Sequence, residues 1–193
     1  DGRKMQERLV ATARKVGVRL IGPNSMGVIH PASSLTLSVN AVLEMEGIKP
    51  GGMSLISQSG TILGTLLSRG AARGVGFARM IGVGNESDLG VGELVDLLVD
   101  DPDTKSILLF LEAVRDGDKL AAAARRAYDA GKPVLAYKLG RSEAGRELAL
   151  SHSGAIAGPA KAADAFFQAN AIARLEMLEG LLEASPLFIG HPP

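Results

Sequence analysis

The segment Ser151-His152-Ser153-Gly154-Ala155-Ile156-Ala157-Gly158 places one histidine among small residues, directly before a helical pattern. An imidazole, with an ordinary pKa of about 6.5, serves as nucleophile, base or ligand near neutral pH. Small neighbours such as Ser153 and Gly154 let backbone N–H groups approach whatever the ring carries. Taken alone, the stretch also reads as a helix-capping loop that happens to contain a histidine. Other stretches bear on the choice. Ser57-Gln58-Ser59-Gly60-Thr61 opens a helix directly after a strand pattern. There Ser59, Gly60 and Thr61 would offer hydroxyls, N–H donors and the positive end of a helix dipole, which makes an anion cradle. The stretch lacks the lysine of a P-loop, and an ordinary N-cap has the same composition. Glu112 closes the most apolar run of the chain. A carboxylate there is costly to bury unpaired, and it can orient an imidazole by accepting from one ring nitrogen while the other stays free. The alternative is a solvent-facing Glu where the strand ends. Lys138 and Arg141 precede His152; Lys138 is expected to solvate its loop, and Arg141 to do the same or to bind phosphate.

These residues need a scaffold. With 193 residues, the chain is long enough for a substantial core. Net charge is zero without long runs of like charge, which gives no pull towards nucleic acid or an anionic membrane. Cysteine is absent, so disulfides and thiol catalysis are excluded. No apolar run reaches the roughly 18 residues of a membrane span, and a cytoplasmic location is expected. The chain begins at Asp1 and closes on Gly190-His191-Pro192-Pro193, so a piece of a longer polypeptide is expected.

Residues 3 to 16 have helical spacing, with Met5, Leu9, Val10, Ala13 and Val16 on one side. Val18 to Ile21 reads as a short strand, and Gly22 to Gly27 as a turn rich in breakers. Val28 to Pro31 and Ser34 to Val39 read as short extended segments, with His30 in a structural role. The alternation of Leu35, Leu37 and Val39 predicts a half-exposed strand. From Gly52 strands and helices alternate. Strands fall at 53–56, 77–83, 106–111, 133–137 and 171–175, and helices at 61–72, 91–99, 120–130, 160–169 and 177–184. This pattern predicts an α/β fold, a mostly parallel sheet with helices on both faces. Ligands in such sheets bind beyond the carboxyl ends of the strands. The segments 57–61, 84–88, 112–116 and 139–153 should therefore gather at one edge, with His152 among them.

Gly22-Pro23-Asn24, Ser57-Gln58-Ser59-Gly60, Gly82-Val83-Gly84-Asn85, Asp100-Asp101-Pro102-Asp103-Thr104, Leu111-Glu112, and Gly140-Arg141-Ser142-Glu143-Ala144-Gly145 through Ser151-His152-Ser153-Gly154-Ala155 occur in one order. In this the chain resembles the NDP-forming acyl-CoA synthetases, which include ADP-forming acetyl-CoA synthetase and the alpha subunit of succinyl-CoA synthetase. The resemblance implies a three-layer, flavodoxin-like domain over 21–185. Residues 1–20 would be the end of a CoA-binding Rossmann-like domain, and 186–193 a linker to a further domain. It implies that His152 is phosphorylated, that Glu112 steadies its ring, and that Ser59, Gly60, Thr61, Ser153 and Gly154 hold the phosphate. Asn24 and Ser25 would lie on the acyl or CoA side, with no metal site in this chain. CoA, a carboxylic acid, phosphate and ATP or ADP with magnesium would serve the full-length, oligomeric enzyme. The fragment itself would bind none of the cofactors, CoA or ATP/ADP with magnesium, tightly. It would need missing CoA-binding and ATP-grasp domains or a partner subunit, and would be inactive alone.

Two rivals differ in class. One is a non-catalytic CoA- or acyl-CoA-sensing module fused to an acetyltransferase. The other is a hydrolase, since Ser59, Glu112 and His152 follow the Ser, acid, His order of α/β-hydrolases. Against the hydrolase, the outer small residues around Ser59 are not glycines, and no Gly-rich oxyanion segment lies upstream.

Overall fold

The computed structural model of the chain describes residues 1–39, 43, 48–140 and 160–189. Helix α1 (Gly2–Lys15) leads to β1 (Val28–His30), a 3-10 turn (Pro31–Ser33) and β2 (Leu35–Leu37). Then follow β3 (Pro50–Ser57), α2 (Gly60–Ala72), β4 (Phe77–Gly82), α3 (Val91–Val99), β5 (Ser106–Leu111) and α4 (Gly117–Asp129). The described chain closes with β6 (Val134–Lys138), α5 (Ala160–Ala169), β7 (Ile172–Leu175) and α6 (Gly180–Phe188). The seven strands form one sheet in the order β2-β1-β4-β3-β5-β6-β7. The run from β4 to β7 is parallel, while β1 pairs antiparallel with both β4 and β2. The five parallel strands, numbered along the chain, take the flavodoxin-like order 2-1-3-4-5, whose switch point lies between β3 and β5.

Register explains the two-faced core. Leu55 of β3 lies beside Met80 and Leu108, and Leu108 beside Leu135. These side chains pack on one face with Leu63, Leu66 and Leu67 of α2 and Leu181 and Leu182 of α6. One residue on, Ile56 lies beside Ile81 and Leu109, and Leu109 beside Ala136. These point the opposite way, onto Leu94, Val95 and Leu98 of α3, Ala123, Ala124 and Ala127 of α4, and Phe167 of α5. The period of two along each strand thus feeds two helical layers. All six residues of β5 are buried, as a central strand covered on both faces requires.

Two expectations fail. Val18 to Ile21 forms no strand. Its backbone is bonded to a loop instead: Leu20 N–H donates to Asp88 Oδ2 at 2.8 Å, and Leu89 N–H donates to Leu20 O at 3.1 Å. The Arg19 guanidinium and the Leu20 N–H hold the Asp88 carboxyl below its ordinary range. β2 is not half-exposed: all three residues are exposed, Leu37 at 63 %. It lies at the sheet edge, and none of its three residues is covered. Residues 186–188 of the expected linker lie in α6, which runs to Phe188.

His30 sits on β1, with Nδ1 2.6 Å from Ser33 Oγ and Nε2 3.8 Å from Asp103 Oδ2. Helix α1 buries only Ala13 and exposes Met5 and Leu9, and its cap Val16 is exposed too. Among the described residues no helix is long and apolar enough to cross a membrane.

Candidate functional site at the switch point

The carboxyl ends of β3, β4 and β5 open onto one cavity of about 290 Å³. Asn24, Ser25, Met26, Gln58, Ser59, Gly60, Thr61, Gly84, Asn85, Glu112 and Arg115 line it. The segments following three strands meet there as the fold class demands. The fourth, after β6, starts at the same edge: Leu139 N–H donates to Leu111 O at 2.8 Å. His152, Ser153, Gly154 and Arg141 lie outside the described residues.

Ser57 ends β3, and its hydroxyl donates to Ser59 O at 2.7 Å while accepting from Ser59 N–H at 3.2 Å. That closed bend turns the chain into α2. Ser59 is the N-cap, accepting from Ile62 N–H at 3.4 Å. Capping uses the oxygen and leaves the hydroxyl proton to donate. Gly60 passes so close to Met26 that an added Cβ would lie 1.8 Å from Met26 Cγ. α2 therefore presents its N-terminus to the cavity with the segment 24–26 packed against it.

That segment is bound to the loop after β4. Asn85 N–H donates to Pro23 O at 2.9 Å, and Ser87 N–H donates to Gly22 O at 3.0 Å. Ser25 donates to Gly82 O and accepts from Gly27 N–H at 2.8 Å, so its hydroxyl is engaged by backbone. Asn24 is exposed, with φ 58°, and its amide is 3.5 Å from Asn85 Oδ1. Gly84 adopts φ +57°, and a Cβ there would lie 2.3 Å from Pro23 O and 2.5 Å from Asn24 O.

Gln58 fixes the loop after β5. Its Oε1 accepts from Glu112 N–H at 2.5 Å and Ala113 N–H at 3.0 Å. Its Nε2 donates to Ala113 O at 2.8 Å and to Glu86 Oε1 at 2.5 Å. One side-chain amide thereby replaces the next rung of the β3–β5 ladder, whose last backbone bond is Gln58 N–H to Phe110 O. The backbone of Glu112 is held, and the residue is only 6 % exposed, not solvent-facing. Among the described residues nothing donates to its carboxylate. A buried acceptor with open lone pairs at the cavity wall is suited to an incoming N–H.

Sequence reading missed Gln58, Glu86 and Arg115. Glu86 Oε1 also receives Arg115 Nη1 at 2.5 Å, and Oε2 receives Val91 N–H at 3.0 Å at the start of α3. The signal was weak: a polar residue or two directly after each strand, as many surface loops have.

Lys138 differs from expectation. It is buried at the end of β6, with Nζ donating to Leu139 O at 2.7 Å. Burial, then Arg174, lowers its pKa below 10.5, against a smaller raising influence of Glu112. A depressed lysine is less protonated in the folded than in the unfolded chain at alkaline pH, so stability should rise with pH in that window. Below the folded pKa both states are charged and the penalty is constant. Urea unfolding of the parent at stepped alkaline pH should show this rise below 10.5, and Lys138→Met should flatten it. An unchanged slope in the variant would count against the burial penalty.

With the geometry established, similarity to known proteins adds the class. Residues 50–188 match the succinyl-CoA ligase like flavodoxin domain, and the chain belongs to that family. It is 35 % identical over 90 % of its length to the alpha subunit of acetate–CoA ligase [ADP-forming] I of Pyrococcus furiosus, covering 37 % of that protein. It is 31 % identical over 98 % of its length to acetate–CoA ligase [ADP-forming] of Methanocaldococcus jannaschii, covering 26 %. In structure it resembles the dinucleotide-forming acetyl-coenzyme A synthetase 1 of Ca. Korarchaeum cryptofilum, in complex with phosphate and ADP. There the TM-score is 0.87 at 27 % identity, covering 98 % of this chain and 40 % of that one. The chain thus spans between a quarter and two-fifths of these relatives.

Proposed function

We propose that the chain is the phosphoryl-carrying part of an NDP-forming acyl-CoA synthetase, which makes acyl-CoA, ADP and phosphate from a carboxylic acid, CoA and ATP. The observation that carries this reading is the convergence of the α2 start, the Gly84-Asn85 turn and the Glu112 carboxylate on one switch-point cavity. A phosphoryl group needs donors and positive potential around its oxygens, and the cradle supplies both. Its carrier needs an imidazole with one nitrogen free, and Glu112 is the acceptor that fixes the other. The family resemblance supplies His152 as that imidazole, in the stretch of sequence between β6 and α5.

The proposed steps balance. A ring nitrogen of His152 bonds to the terminal phosphorus of ATP, and the P–O bond to ADP breaks. A carboxylate oxygen of the acid then takes the phosphoryl group as the P–N bond breaks. CoA sulfur attacks the acyl phosphate carbonyl, and phosphate leaves. Ser59, Gly60 and Thr61, with Ser153 and Gly154, hold phosphate oxygens, while Asn24 and Ser25 lie towards the acyl and CoA side. The exposed apolar residues Met5 and Leu9 of α1 and its cap Val16 support assigning residues 1–20 to a CoA-binding domain, and an ATP-grasp domain or subunit supplies the nucleotide.

The protein carrying this chain, given ATP, magnesium, CoA and a panel of small carboxylic acids, should form acyl-CoA and ADP in equal amounts. Labelling of Ser59 by a fluorophosphonate, with no acyl-CoA formed, would favour a hydrolase instead.

A further inference from the structure

Arg115 is the one cation among the described residues lining the cavity. Its partner Glu86 is an unusual anchor. The Glu86 side chain is 5 % exposed, against 35 % for Arg115. Its carboxylate takes donors from three separate segments: the Gln58 amide, the Val91 N–H at the start of α3 and the Arg115 guanidinium. If Arg115 were drawn away, Glu86 would keep two donors, so the movement leaves no bare buried charge. The guanidinium has five N–H donors in a planar fork, and one nitrogen, Nη1, bonds Glu86. The rest of the fork is free to take a second anion in a bidentate contact. A phosphate entering beside Glu112 meets a like charge that hydroxyls and N–H dipoles only partly offset. A cation at the wall answers that charge.

We propose that Arg115, oriented by the buried Glu86 carboxylate, is the phosphate-binding side chain of this cavity. The inference rests on the phosphate cradle proposed above and names a residue that neither the cradle nor the motif order includes. Phosphate is chosen over the carboxylate of the acid because its greater charge gains more from the fork.

The test is amide NMR of the 193-residue chain titrated with inorganic phosphate or with acetate at constant ionic strength. Gly60 and Thr61 serve as reporters of the cradle. In the parent, phosphate should shift both reporters to saturation, and acetate should shift neither at the same concentrations. Arg115→Gln should weaken phosphate about tenfold or more, as loss of a charge-assisted bidentate contact does. Arg115→Lys, which keeps the charge without the fork, should fall between the two and guards against a folding defect in the first variant. Arg126→Gln, on the outer face of α4 with Asp96 and Asp100, should bind as the parent does. Parental affinity in Arg115→Gln, with the reporters still shifting, would overturn the role of Arg115 and leave the cradle standing. Tighter binding of acetate than phosphate, lost in Arg115→Gln, would reassign Arg115 to the acid. No shift of the reporters in the parent would sink the cradle and this inference together.

Discussion

Replacing Glu112 by glutamine is expected to slow phosphorylation of the enzyme by roughly 10²-fold or more, the scale of a misplaced acid–base or orienting group. The fold should survive. The substitution is isosteric, it removes a buried charge to which nothing donates among the described residues, and the backbone of residue 112 stays tied to Gln58. Unfolding stability should therefore stay level, since the shape is kept and no described donor loses its partner. A glutamine can still accept from an imidazole N–H through its oxygen. It cannot balance the charge of an imidazole carrying a phosphoryl group. Rapid-quench phosphorylation with labelled ATP separates the two expectations. A parental rate with parental stability would remove Glu112 from the chemistry.

A large effect on stability is expected at Gly84. Gly84→Ala should cost about 3 kcal/mol, combining the strain of a left-handed non-glycine residue with overpacking. For a chain of this size that lowers Tm by roughly 10 °C. The clash is with backbone, not a side chain that can turn aside: Pro23 O at 2.3 Å, Asn24 O at 2.5 Å and Asn24 C at 2.7 Å from the added carbon. Relief would push residues 22–25 off the loop after β4 and open the cavity wall. Gly74 is the matched control, at φ +70° with nothing within 4 Å of an added Cβ. Gly74→Ala should cost only about 1 kcal/mol, the conformational part. Equal losses at the two positions, measured by urea unfolding, would show that close packing of residues 22–25 contributes nothing.

Much of the fold was legible because its signals are local. The unbroken apolar run of β5 reads as a strand covered on both faces, and α2 starts after Ser59 because a serine there can cap. Val18 to Ile21 shows the limit: four mostly apolar extended residues look alike whether their N–H groups reach a strand or, as here, the carboxylate of Asp88. Alternation in β2 likewise says that two faces differ, not that either is covered. Glu112 and the Ser59–Thr61 start were visible as strand-end and helix-start residues. Gln58, Glu86 and Arg115 were not, because their meaning lies in bonds spanning 28 to 55 positions. Lys138 looks like a loop cation in the sequence for the same reason, since its burial is decided by what packs over the end of β6.

The central claim is that His152 carries the phosphoryl group between the two halves of the reaction. The most direct test incubates the full-length protein with ATP and magnesium, then maps the adduct by mass spectrometry under alkaline handling. A phosphoryl group on His152 is expected, stable to base, lost in acid, discharged by added carboxylic acid and CoA, and absent from His152→Ala. Acyl-CoA formed by His152→Ala at the parental rate would contradict the account.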